Sequence, residues 1–83
     1  MKLIYFAWLR ERIGVPEEDV ELPPEVKTVG DLMQWLAGRN EAYAYAFENP
    51  KIVRAAIDRR HVKPAAPIAG AGEIAFFPPM TGG

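Results

Sequence analysis

Glu73-Ile74-Ala75-Phe76-Phe77-Pro78-Pro79-Met80-Thr81-Gly82-Gly83 is the stretch on which the reading of this chain turns. Ile74 and Phe76 alternate with Ala75 and Phe77, the two-residue period of a strand. Pro78 and Pro79 stop that strand, because neither has an N–H to give to a ladder. The residues beyond Phe77 can reach roughly 20 Å at about 3.3 Å each. Gly82 and Gly83 have no Cβ, so the tip is thin enough to lie against the backbone of another protein. Gly83 is expected to carry the free carboxylate. Frayed termini are the ordinary alternative, but a frayed end needs no stiff neck. Two prolines fix φ and lower the entropy cost of holding an extended probe.

Moving back from the tail, Gly70-Ala71-Gly72 reads as a tight turn and Pro64 to Ile68 as a loop that could carry one bridge. Arg59-Arg60-His61-Val62-Lys63 is a turn followed by a short edge strand. Ile52 to Asp58 is a strand, with Val53, Ala55 and Ile57 facing one way and Arg54 and Asp58 the other. Glu41 to Phe47 is a short helix, ended by Asn49-Pro50. Thr28 caps the main helix, and Asp31, three residues on, completes a capping pair. Val29, Leu32, Met33 and Leu36 fall at i, i+3, i+4 and i+7, a single apolar stripe that reads as core and not as a binding groove. Glu18 to Leu22 alternates Val20 and Leu22 against Asp19 and Glu21, a half-buried strand joined by a short link to the first. Met1 to Leu9 reads as a central strand covered on both faces, and Leu9 to Ile13 as a polar helical turn at most, stopped by Gly14 and Pro16. Two linked strands, a packed helix and later strands make a small α+β layer in which the last strand lies beside the first.

Eighty-three residues make one domain, with a body at 1–77 and an extended, flexible Gly-Gly tail at 78–83. A net charge of −1 argues against an obligate phosphate-backbone binder. No cysteine is present, which excludes a disulfide, a thiolate metal site and a cysteine nucleophile, and which fits a reducing, cytoplasmic setting. The single histidine, His61, excludes a His–His metal pair within the chain. Leu3 to Leu9 is too short for a signal peptide followed by Arg10-Glu11-Arg12, and no run approaches the ~20 apolar residues of a membrane span.

Several motifs together resemble a known family. They are Tyr5-Phe6-Ala7 with Leu9-Arg10-Glu11 and Gly14, Thr28-Val29 at a helix start, Ala55-Ala56-Ile57-Asp58, and Glu73 to Pro79 ending in Thr81-Gly82-Gly83. In this order and spacing the whole chain resembles the small, sulfur-carrier subunit of molybdopterin synthase, within the ubiquitin-like and thiamin-type carrier group. The resemblance implies a β-grasp fold, a mixed sheet of four to five strands on one main helix. It implies that an E1-like adenylating enzyme uses ATP to join Gly83 to AMP. A persulfide donor would then convert the terminus to a thiocarboxylate. That group would enter the large synthase subunit and attack the cyclic pterin precursor, in a heterotetramer with the large subunits at its centre. Pro78, Pro79, Met80, Thr81 and Gly82 would be the inserted tail, with Met80 suited to the channel mouth and Thr81 to a hydrogen bond inside it. No cofactor would be held stably. The chain departs from the family at Asp58, where Asn is common, and at Gly70-Ala71-Gly72, which replaces an acidic turn.

The remaining residues carry a bland reading beside a functional one. Phe77, if it faces solvent, would belong to an apolar docking surface with Arg59 and Arg60 at its margin, although these cations with Lys63 equally suit an edge guarded against aggregation. Trp8 and Trp35 read as packing and His61 as a surface polar group. Glu17, Glu18, Asp19 and Glu21 read as a wet face and not a cation site. Two other functions share the same tail: a ubiquitin-like modifier joined to lysines through Gly83, and a non-covalent interaction domain.

Overall fold

A computed structural model describes residues 1–79; Met80, Thr81, Gly82 and Gly83 lie outside them. Five strands form one mixed sheet: β1 (Lys2–Tyr5), β2 (Glu17–Asp19), β3 (Arg54–Ile57), β4 (Arg60–Val62) and β5 (Glu73–Phe77). Their order across the sheet is β2-β1-β5-β3-β4. β5 therefore holds the central place. It runs parallel to β1, with Leu3 opposite Ile74 and Tyr5 opposite Phe76, and antiparallel to β3, with Ala55 opposite Phe76. This is the β-grasp arrangement.

Period-two patterning sorts the sheet into two faces. Leu3, Tyr5, Ala55, Ile74 and Phe76 are buried under the helices. The main helix, α2 (Val29–Ala37), starts where Thr28 accepts from the Asp31 N–H at 3.1 Å and Asp31 accepts in return from the Thr28 N–H at 3.2 Å. The backbone amide of Lys27, helped by that of Thr28, holds the Asp31 carboxyl below its usual value. Val29, Leu32, Met33 and Leu36 are all buried against the sheet, as their spacing requires. α3 (Glu41–Ala46) is capped by Asn40 and adds Tyr43 and Ala46 to the same core. The bridge expected in the 64–68 loop pairs Thr28 with Pro67.

The N-terminal strand is shorter than its composition suggests. It ends at Tyr5, and only Leu3 and Tyr5 are buried, so one face is covered and not two. Phe6 still donates its N–H to the Phe76 carbonyl at 3.0 Å, but Ala7 at φ +54° turns the chain out of the ladder. A full helix then follows, α1 (Ala7–Ile13), where only a polar turn was expected at Leu9 to Ile13. It buries Leu9 and ends at Gly14, whose φ of +98° is the left-handed stop that glycine permits. The strand read at Ile52 to Asp58 is trimmed at both ends: Pro50–Ile52 form a 3-10 turn, and Asp58 with Arg59 form the two-residue hairpin loop.

Candidate functional site

The point of exit is a strand clamped on both sides. Ladder pairs from β1 and β3 hold β5 as far as Phe77, opposite Arg54. Pro78 and Pro79, partly exposed, leave from there. The ladder on both sides fixes where Pro78 leaves the sheet, and Pro78 and Pro79 have no N–H to extend the strand. Among the described residues this is where the sequence-predicted insertion segment begins. Met80, Thr81, Gly82 and Gly83, on which the predicted chemistry falls, lie beyond.

The uncovered face of the sheet meets the exit. Ile4, Phe6, Ala56, Ala75, Phe77 and Pro78 form an apolar groove there, with Arg59, His61 and Glu73 as its polar members. Phe6 is 48% exposed, a large apolar ring facing water. Phe77 is on this side, and the His61 ring packs on it with centroids 5.1 Å apart. Arg59 lines the groove. Arg60 does not; it pairs with Ile57 at the opposite parity, which puts it on the helix side of the sheet. His61, read as a surface polar group, is exposed and also lines the groove. Its parity with Phe77 across β3 was the available signal, but it needs the strand order to be seen.

The most perturbed titratable groups lie elsewhere, at the β2 edge. Glu18 sits opposite Leu3, so its side chain turns toward the helices. Its carboxylate accepts from the Tyr5 hydroxyl at 2.7 Å, the Tyr43 hydroxyl at 2.6 Å and the Arg39 guanidinium at 3.1 Å. Burial would raise the Glu18 carboxyl; the hydrogen bonds from Tyr43, Tyr5 and Arg39 outweigh it and hold the group below its ordinary value. Burial, then the bond to Glu18, pushes the Tyr43 phenol up to about 12 and the Tyr5 phenol further. Both remain donors at any physiological pH. The acidic run read as a wet face is therefore mixed: Glu17 and Asp19 are exposed, while Glu18 ties β2 to β1, α3 and the loop after α2. Its shared parity with Val20 and Leu22 pointed inward.

No group of three or more His, Asp or Glu side chains converges on a metal-sized site among the described residues, and no helix there is long and apolar enough to cross a membrane. The body thus presents a fixed point of exit beside an apolar face. The ThiS family model matches residues 3–83. The molybdopterin synthase sulfur carrier subunit of Escherichia coli (strain K12) is 35% identical over 83 residues, covering 100% of this chain and 99% of that protein. The protein of the same name from Haemophilus influenzae is 32% identical over the same extent. Among solved structures, small archaeal modifier protein 1 of Haloferax volcanii superposes with a TM-score of 0.73 at 25% identity, over 96% of this chain and 97% of that one. With β5 at the centre of the sheet and a family match running from β1 through the final glycine, the chain belongs to the ThiS family.

Proposed function

We propose that this protein is the sulfur-carrier subunit of molybdopterin synthase, and that Gly83 is the group it carries sulfur on. The observation that supports this most is the full-length likeness to two subunits of that name, which extends through the Gly-Gly end. A carboxylate is a poor electrophile because its charge is delocalised and it has no leaving group. An E1-like enzyme supplies one: Gly83 attacks the α-phosphate of ATP, pyrophosphate leaves, and an acyl-adenylate forms. The terminal sulfur of a persulfide displaces AMP, and cleavage of the resulting S–S bond by a thiol leaves the thiocarboxylate. This anion enters the large subunit and attacks the pterin precursor, and hydrolysis returns the Gly83 carboxylate. Two loaded carriers are consumed per dithiolene. Substituents on Gly82 or Gly83 would meet walls shaped for bare backbone.

In this reading the open face around Phe77 seats the large subunit while the proline neck directs the tail into it. All the reacting groups other than the terminus belong to the partners in this reading. Reconstitution tests it. Loaded carrier, large subunit and pterin precursor should yield dithiolene. Carrier lacking Gly83, or extended by one residue, should yield none while keeping its far-ultraviolet circular dichroism. Activity in either variant would refute the mechanism. The likeness to an archaeal modifier protein supports a second reading, attachment to lysines through Gly83. Isopeptide-linked Gly83 in cell extracts, without thiocarboxylate, would favour it.

A further inference from the structure

The two edges of the sheet carry opposite charge. Around β2, Glu17, Asp19 and Glu21 are exposed. Around β4 the exposed charges are cationic apart from Asp58, whose carboxylate is engaged by the N–H groups of Gly72 and Glu73. Arg59 and Arg60 stand at the hairpin end, while Lys51, Arg54 and Lys63 line one concavity beside Val62 at the other. Among the described residues the ion pairs are Lys2–Glu17, Arg12–Glu48 and Arg39–Glu18, so none of these five cations has a carboxylate partner. In a protein of net charge −1 this is a marked local excess.

The edge between those cations is open and stiff. Asp58 donates its N–H to the Glu73 carbonyl at 3.0 Å, which fixes the alternation: even-numbered β3 residues direct backbone groups at β5 and odd-numbered ones at β4. Ala55 opposes Val62 and Ile57 opposes Arg60, so the N–H and carbonyl of His61, opposite Ala56, point away from the sheet. The hairpin is held in place. Asp58 and Arg59 sit at φ +47° and +71°, and the Asp58 Oδ1 accepts from the N–H groups of Gly72 (2.9 Å) and Glu73 (3.0 Å). Two non-glycine residues in the left-handed region are a local strain that the neighbouring bonds must sustain.

We propose that the β4 edge docks an extended acidic segment of a partner protein, which adds as a further strand on the backbone of His61 with its carboxylates between Arg59–Arg60 and Lys51–Arg54–Lys63. Backbone pairing at a sheet edge supplies the contact and the flanking charges select the sequence. This surface does not use the tail, and it shares only Arg59 and the His61 ring with the open face; the Arg60→Glu, Lys63→Glu variant keeps both, so its sulfur transfer separates the two readings.

The test is a nuclear magnetic resonance titration of the full chain with a synthetic peptide of alternating glutamate and valine. The expected result is a shift and exchange protection at the His61 amide, affinity that falls as salt is raised, and no binding of the lysine-for-glutamate peptide. His61→Pro, which removes the outward N–H on an edge where proline is tolerated, should abolish binding. His61→Ala, which keeps that N–H, should retain it. Arg60→Glu with Lys63→Glu should weaken binding about tenfold, from reversing two exposed pairs, and carries the test if the proline variant fails to fold. The proposal is overturned if the peptide maps elsewhere or does not bind, if His61→Pro binds as the parent does, or if an oligonucleotide of equal charge binds as tightly. It is equally overturned if the charge reversals act only on dimerisation of the chain.

Discussion

Replacing Glu18 by Gln should lower the melting temperature by an amount the geometry fixes. Oε2 of Glu18 accepts from two phenols, at 2.7 and 2.6 Å, and Oε1 from Arg39 at 3.1 Å. Hydrogen bonds to a charged acceptor contribute about 1.5–3 kcal/mol and neutral ones about 0.5–1.5. A neutral amide oxygen therefore loses about 1 kcal/mol on each phenol. The Arg39 pair, with side chains 32% and 19% exposed, adds about 0–1 kcal/mol. The sum is about 2–3 kcal/mol, or about 10–20 °C for a domain of this size. Scanning calorimetry of parent and variant against pH gives the assay and its internal control. The Glu18 carboxyl lies below its ordinary value of 4.5 in the folded protein. Its contribution is therefore complete above that value and is lost as pH falls through the folded one. The gap between parent and variant should be flat at neutral and mildly acidic pH and should close in strong acid. A variant that melts within about 2 °C of the parent at neutral pH, well inside the ~4–8 °C per kcal/mol expected, would refute the reasoning. So would a gap that ignores pH.

Asp58→Ala should cost about 1–2 kcal/mol in denaturant titration, because Gly72 and Glu73 lose a shared acceptor and alanine tolerates φ +47° poorly. Asp58→Asn keeps an acceptor and tolerates that backbone, so it should cost clearly less; equal losses would contradict the turn chemistry. Phe77→Ala should weaken association with the large subunit by about 2 kcal/mol or more, as loss of an aromatic anchor does, while moving the melting temperature little. Isothermal titration calorimetry measures it, and unchanged affinity would remove the open face from the docking surface.

Much of the fold was legible because local signals agreed with the tertiary ones. The Thr28–Asp31 cap, the Val29-Leu32-Met33-Leu36 stripe and the parity of Ile74 and Phe76 each point to the same layer, and each is where it should be. The failures are places where one long-range contact overrides a local pattern. Apolar residues continue past Tyr5, yet Ala7 adopts a left-handed backbone that composition does not signal, and Trp8 and Leu9 become helical. Glu18 looks like one member of a solvated acidic run, but two phenols and a guanidinium arriving from distant segments make it the bond between an edge strand and the core. The site was legible in part. Phe77 and Arg59 fall on the uncovered face, whereas Arg60 lies on the other side because a single residue of parity decides the face. The proposed tail chemistry falls on Gly82 and Gly83, outside the described residues, and its signal in the sequence is what glycine lacks.

The most direct measurement is the intact mass of this protein after incubation with its activating enzyme, ATP and a persulfide donor. The account predicts a mass increase equal to replacing one oxygen by sulfur, located at Gly83 by fragmentation and dependent on ATP. A terminus that stays a carboxylate under those conditions would contradict it.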